Sequence, residues 1–168
     1  FLMRNFYVDY RSGASTRPGL EFIIQAYSSD KTVRLIEFQY NVETTYVIEF
    51  GDVYCRFITN AGAVLETAFN ITAASNGNPG VVTAPGHNFV NDDWVFVQGI
   101  VGATGYNGRF YTVTVSGDFL TMYDVNGNAV DASGFGTYLS GGTVARVYKI
   151  TSPYAAADLD LLKFTQSA

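Results

Sequence analysis

From residue 67 to residue 146 the chain contains no lysine and no glutamate. Those 80 residues carry seven charges (Asp92, Asp93, Arg109, Asp118, Asp124, Asp131 and Arg146), whereas the other 88 carry 18. Glycine runs the opposite way, with 13 of 17 inside the window. Both limits are abrupt. Two such shifts within 168 residues predict a guest module set into a host. The expected organisation is a discontinuous host β domain, 1–66 plus 147–168, interrupted by an inserted small β-barrel, 67–146.

Both parts read as β-structure. Val, Ile and Thr number 42, and 15% of the residues are aromatic, the residue types that suit a pleated, half-buried surface. In the host, 20–27 (LEFIIQAY), 33–40, 45–50 and 53–59 read as strands. A tight hairpin is expected through Gly51-Asp52, and 60–63 turns the chain into 64–67. Polar residues of 33–40 do not keep to one face, which predicts a strand covered on both sides. In the guest, short strands are expected at 70–74, 81–84, 94–98, 110–115, 120–124 and 143–150. Gly- and Asn-rich turns separate them at the spacing of a small barrel. Only 153–162, with its Pro start and Asp158 in the first turn, reads as a short helix. The fold class is therefore all-β: a host antiparallel sheet, an inserted barrel and one short helix near the C-terminus. If 67–146 is an insertion, Asn70 and Thr143 should lie side by side.

Charge and composition exclude several functions. Ten Lys and Arg against 15 Asp and Glu leave a net charge of −5, without the basic footprint of nucleic-acid binding. The scattered cations Arg4, Arg11, Arg17, Lys31, Arg34 and Arg56 read as surface and interface partners among acids. No apolar run approaches the roughly 18 residues of a membrane span, and the first ten residues do not follow the pattern of a signal peptide. One cysteine and one histidine leave no internal disulfide and no His- or Cys-based metal cluster. No cofactor is expected.

Several ordered motifs carry a resemblance. Asn78-Pro79-Gly80-Val81-Val82-Thr83, Gly86-His87-Asn88-Phe89, Asn91-Asp92-Asp93-Trp94-Val95 and Tyr106-Asn107-Gly108-Arg109-Phe110 follow one another across about residues 71–142. Together they resemble the β-barrel module known as the first catalytic cysteine half-domain of ubiquitin-activating enzymes, a signature that recurs as an insertion in phage virion proteins. The flanks are similar to the N-terminal region of tail nozzle proteins (tail tubular protein B) of short-tailed bacteriophages. The matching residues are Asn5-Phe6, Gly13-Ala14, Arg17-Pro18-Gly19, the strands 33–38 and 46–52, Ile150-Thr151-Ser152-Pro153-Tyr154 and Ala157-Asp158-Leu159. In that family Pro-Tyr and Ala-Asp-Leu lead into a propeller-like body. Residues 164–168 resemble its first strand, so the chain reads as part of a longer virion protein. The resemblance implies a structural component of a phage tail nozzle, assembled as a hexameric ring beside tail adaptor and tail fibre proteins. DNA would pass through such an assembly without sequence-specific binding. It implies no enzyme.

The candidate sites read as follows. Cys55 shares a strand face with Val53 and Phe57 and reads as a buried structural thiol. His87 reads as a loop residue whose ring bonds nearby backbone. Asp124 to Asp131 has oxygen ligands at alternate positions, faintly like a calcium loop, but lacks the terminal Glu; Asn126-Gly127 argues for a hairpin. The rings of Tyr106, Phe110, Tyr111, Tyr123, Phe135 and Tyr138 are expected to fill the barrel core alternately. The rival reading makes the barrel a binding module for a host glycan or a tail fibre, with Tyr106, Phe110 and Tyr138 as its contact platform.

Overall fold

In the computed structural model the strands divide along the compositional boundary. It describes residues 6–9, 13–16, 22–28, 30–39, 41 and 44–165. β1 (Phe6–Asp9) and β2 (Gly13–Thr16) form an antiparallel two-stranded ladder of their own. β3 (Arg34–Gln39), β4 (Thr45–Gly51), β5 (Tyr54–Thr59) and β6 (Gly62–Ala63) build a second antiparallel sheet. Tight turns set its registers. Asp52-Val53 joins β4 to β5, and Asn60-Ala61, both at positive φ, joins β5 to β6 as type I′ turns require.

The guest residues form β7 (Phe69–Asn70), β8 (Ala73–Ala74), β9 (Val81–Thr83), β10 (Trp94–Val101), β11 (Arg109–Ser116), β12 (Phe119–Tyr123) and β13 (Ser140–Arg146). Their order is β7-β13-β10-β11-β12-β9-β8. The end strands β7 and β8 are consecutive in the chain, so segment 69–74 bonds β13 with its first half and β9 with its second. Ile71 N donates to Gly142 O and Thr72 N to Thr83 O, both at 2.9 Å, and the sheet closes into a barrel. Asn70 and Thr143 are register partners. The closure is sharpest where Gly99 and Gly142 face each other, both at positive φ. A Cβ on Gly142 would strike the Ile100 side chain, so this corner requires glycine.

The barrel core is filled by alternate strand residues, Val82, Val95, Val97, Val113, Leu120, Met122 and Val144 among them. That alternation matches strands whose positions the Gly- and Asn-rich turns mark in the sequence.

Three expectations change, the first being cover on both sides of 33–40: β3 is exposed at Leu35, Glu37, Phe38 and Gln39 and has a strand neighbour on one side only among the described residues. Residues 22–27 are not a strand; residues 20 and 21 lie outside the described set. Side chains take the backbone bonds there: Gln25 O accepts from Arg56, and Tyr27 N donates to Glu49 Oε1 at 3.1 Å. The run 143–150 is two strands, because Val147 and Tyr148 cross from the barrel to the host, where β14 (Lys149–Thr151) pairs with β5. The short helix expected near the C-terminus is present, as a 3-10 helix over Ala156–Leu161. Asp52 Oδ1 accepts from Ala156 N at 3.0 Å, and Arg34 Nη1 donates to Leu159 O and Leu162 O, so host side chains satisfy both helix ends.

Leu120 is fully buried, whereas its neighbour Phe119 is 54% exposed. Leu120→Ala should therefore cost about 2–5 kcal/mol in urea denaturation, with Phe119→Ala within about 0.5 kcal/mol of the parent. Equal losses would mean that the barrel is not the packed unit.

Candidate functional site

The host sheet has two unlike faces, and register explains them. Glu49 and Arg56 are direct cross-strand partners in the β4–β5 hairpin. Both are buried, with Arg56 fully so. Arg56 donates to Glu49 Oε2 from Nε at 2.8 Å and from Nη2 at 2.7 Å. Tyr54 Oη donates to Glu49 Oε1 at 2.8 Å. Burial, and then the bond to Glu49, push the Tyr54 hydroxyl well above the ordinary tyrosine range.

The lid over this pair is strap 22–28 together with the barrel. The Arg56 guanidinium lies 5.3 Å from the centre of the Trp94 ring. Tyr27 packs 5.2 Å from Trp94 and 5.0 Å from Tyr54, and Lys149 Nζ donates to Tyr27 Oη at 2.7 Å. The expectation that Arg56 is a surface charge is therefore corrected. In VYCRFIT it alternates onto the face shared with Tyr54, and that face is covered. The signal that finds it is hairpin register: a turn at Asp52-Val53 sets Glu49 opposite Arg56.

A second ion cluster marks the junction. Arg146 donates to Glu66 Oε2 at 2.6 Å and to Asp93 Oδ2 at 2.9 Å, and its guanidinium lies 5.9 Å from the Phe89 ring centre. Beside it Leu65 bridges Val147, so the two passages of the chain between sheet and barrel run side by side.

The three proposed contact residues do not share a surface. Tyr106 is fully buried at the end of the 3-10 turn Thr104–Tyr106. Its hydroxyl donates to Ser75 O at 2.8 Å, and its ring meets Phe135 edge-on at 4.9 Å. Burial raises its pKa, and that of its core neighbour Tyr111 to about 12. Tyr138 is half-buried at the barrel seam, its hydroxyl 2.9 Å from Ile71 O. Phe110 lies outside the barrel, 4.9 Å from its cross-strand partner Phe96. A stacking platform through these three is ruled out by Tyr106, whose ring the core consumes.

His87 Nδ1 accepts from Phe89 N at 3.1 Å, and the two rings stack at 5.0 Å. Cys55 is free and buried, and burial pushes its thiol up. In the Asp124 loop, donors converge on the carboxylate. Asn126 N and Asn128 N donate to Oδ1 at 2.9 and 2.8 Å, and Asn128 Nδ2 donates to Oδ2 at 3.0 Å. That set satisfies an anion and builds a turn, the reverse of a cation cage. Among the described residues no three His, Cys, Asp or Glu side chains gather as metal ligands, and no helix is long and apolar enough to cross a membrane.

The remaining feature is the second face of the host sheet, which has no covering layer among the described residues. Phe38 and Tyr46, Ile48 and Phe57, and Phe50, Cys55 and Ile150 are cross-strand partners pointing away from Glu49 and Arg56. They line two shallow, almost wholly apolar hollows of about 330 and 340 Å³ that share Ile48 and Phe57.

Two predictions follow from the charged groups. Glu49→Ala leaves the Arg56 charge buried and unpaired and should cost about 3–5 kcal/mol, whereas Glu49→Leu with Arg56→Met should cost less than either single change. Denaturant midpoints of the parent, the three single variants and the double variant check this, and additive losses would show that the pair is not coupled. The Asn128 side chain, then its backbone N–H and that of Asn126, hold Asp124 below the ordinary carboxyl value of 3.8. Its stabilisation is therefore present above the unfolded carboxyl pKa and lost as pH falls through the folded value. Asp124→Asn should lower stability by about 0.5–1 kcal/mol at neutral pH, the range of a solvent-screened hydrogen bond, and the deficit should shrink on acidification. Thermal melts across pH 2 to 7 measure it.

No protein-family model matches the chain, and no curated protein does.

Proposed function

We propose that the chain is a structural protein of a virion tail, a part of a nozzle-type ring through which DNA leaves the particle. It works by shape and interfaces. The observation that carries this reading is the apolar face of the five-stranded sheet. One side of that sheet is sealed by the strap and barrel over Glu49 and Arg56. The other presents Phe38, Tyr46, Ile48, Phe57 and Ile150 without a covering layer among the described residues. An apolar sheet face is stable when something packs on it, and a contiguous, partly exposed apolar patch of this kind marks an interaction surface. The nozzle resemblance of the flanking motifs agrees, and the net charge of −5 suits a wall that passes DNA without holding it. In this reading the barrel projects as a docking point for tail adaptor or fibre proteins.

Immunogold electron microscopy of phage particles with antibodies raised against this chain tests the assignment. Label confined to the tail below the head supports it; label on the capsid alone, or none on particles, overturns it. Phe38→Glu with Ile150→Glu, both on exposed positions, should leave the circular dichroism spectrum unchanged and abolish incorporation.

A further inference from the structure

Beside the strap lies a half-open groove of about 440 Å³ that the fold does not fill. Phe22, Ile23, Trp94, Phe110 and Val125 make it apolar, and Arg109 stands at its rim. Arg109 is exposed and rests 5.4 Å from the Phe135 ring centre, with no carboxylate partner among the described residues. Asp124, also on the rim, is occupied by its own loop. Phe22 is 81% exposed, and the backbone of residues 22–24 makes no hydrogen bond among the described residues. The strap is thus an aromatic, β-branched run without a strand neighbour, and no charge between residues 22 and 28 discourages one.

The complement of this groove is a surface of the same chain that does not line it. β3 pairs with β4 on one side and has no strand on its other side among the described residues. Leu35, 61% exposed, and Glu37, also exposed and without an ion pair among the described residues, are two residues apart and so share one face of that edge. An apolar side chain followed at strand spacing by a carboxylate is what an apolar groove with an unpaired arginine at its rim receives.

We propose that β3 of a second copy of this chain docks in the groove, with Leu35 inside it and Glu37 on Arg109, and that its backbone bonds the unpaired strap. The contact is heterologous, since groove and β3 are different surfaces, so its repetition generates a ring or a filament rather than a closed pair. It deepens the assembly reading given above and rests on it for the choice of partner.

A charge exchange tests it. Sedimentation velocity of the intact protein should show self-association. Glu37→Arg alone and Arg109→Glu alone should each weaken it at least tenfold, because each places like charges together. The two changes combined should restore it. Both side chains are exposed, and unchanged melting temperatures verify the fold. A parent protein that stays monomeric up to about 1 mM, the weak end of specific association, overturns the proposal. So do single variants that associate like the parent, or a double variant that is not rescued. Failure here is distinguishable from failure of the tail assignment. Rescue by the double exchange in a protein absent from phage tails keeps this contact and removes that assignment. Tail incorporation unaffected by either single exchange does the opposite.

Discussion

The buried Glu49–Arg56 pair is the constraint on which the arrangement of the other parts depends. Removing two charges from water costs several kcal/mol each, and their attraction offsets this only when the remaining lone pairs and protons are satisfied. Here partners come from three separate places, and one group, Arg56 Nη1, is buried without a hydrogen-bond partner among the described residues. The hairpin supplies Tyr54, the strap supplies the Tyr27 N–H and the Gln25 carbonyl, and the barrel supplies the face of Trp94. Shift any one of them and a buried charge loses a partner. The pair therefore specifies the position of strap and barrel over the sheet more than it adds net stability. It also explains why a segment with strong strand propensity runs as an unpaired strap, since its backbone groups are already engaged by side chains at Gln25 and Tyr27.

Register is the link from sequence to that pair. Asp52-Val53 is a two-residue turn, so residues whose numbers sum to 105 oppose one another: Glu49 meets Arg56 and Phe50 meets Cys55. Because strand side chains alternate, the charged pair and the apolar pair fall on opposite faces. A slip of one residue would put Arg56 among Ile48 and Phe50 and turn Cys55 and Phe57 toward the barrel. Val53 holds this turn at φ 58°, a costly conformation for a β-branched residue. Its N–H donates to Tyr154 O and its carbonyl accepts from Ser152 N, so β14 and the segment after it fasten the turn from outside.

What was legible in the sequence follows the same physics. The barrel strands were visible because Val, Leu and aromatic residues alternate between Gly- and Asn-rich turns, and because one charge-poor stretch contributes all of β7 to β13. Its ends, Asn70 and Thr143, were expected to be neighbours and are paired. The fates of single side chains were less visible. Arg56 looks like any surface arginine until register sets Glu49 opposite it and Trp94 above it, a partner 38 positions away. Tyr106, Phe110 and Tyr138 look alike as aromatic residues in a glycine-rich stretch. A 3-10 turn sends the first inward, strand alternation sends the second outward, and the seam takes the third. The run 20–27 reads as a strand because propensity reports what a segment can do on a pleated surface, not whether an edge is offered to it.

The two sheets differ in how they end, and that difference bears on assembly. The barrel has no open edge: segment 69–74 bonds both β13 and β9, which removes the row of unpaired backbone groups that makes an edge adhesive. The host sheet is not closed, and its apolar second face has no cover among the described residues. An inserted module that is sealed, low in charge and joined through the Glu66–Arg146–Asp93 cluster can be carried without competing for the host's contacts. β3, the strap and the Phe57 face belong to the sequence outside residues 67–146, whereas Trp94, Arg109 and Phe110 belong to it, so the groove beside the strap is built from both parts of the chain.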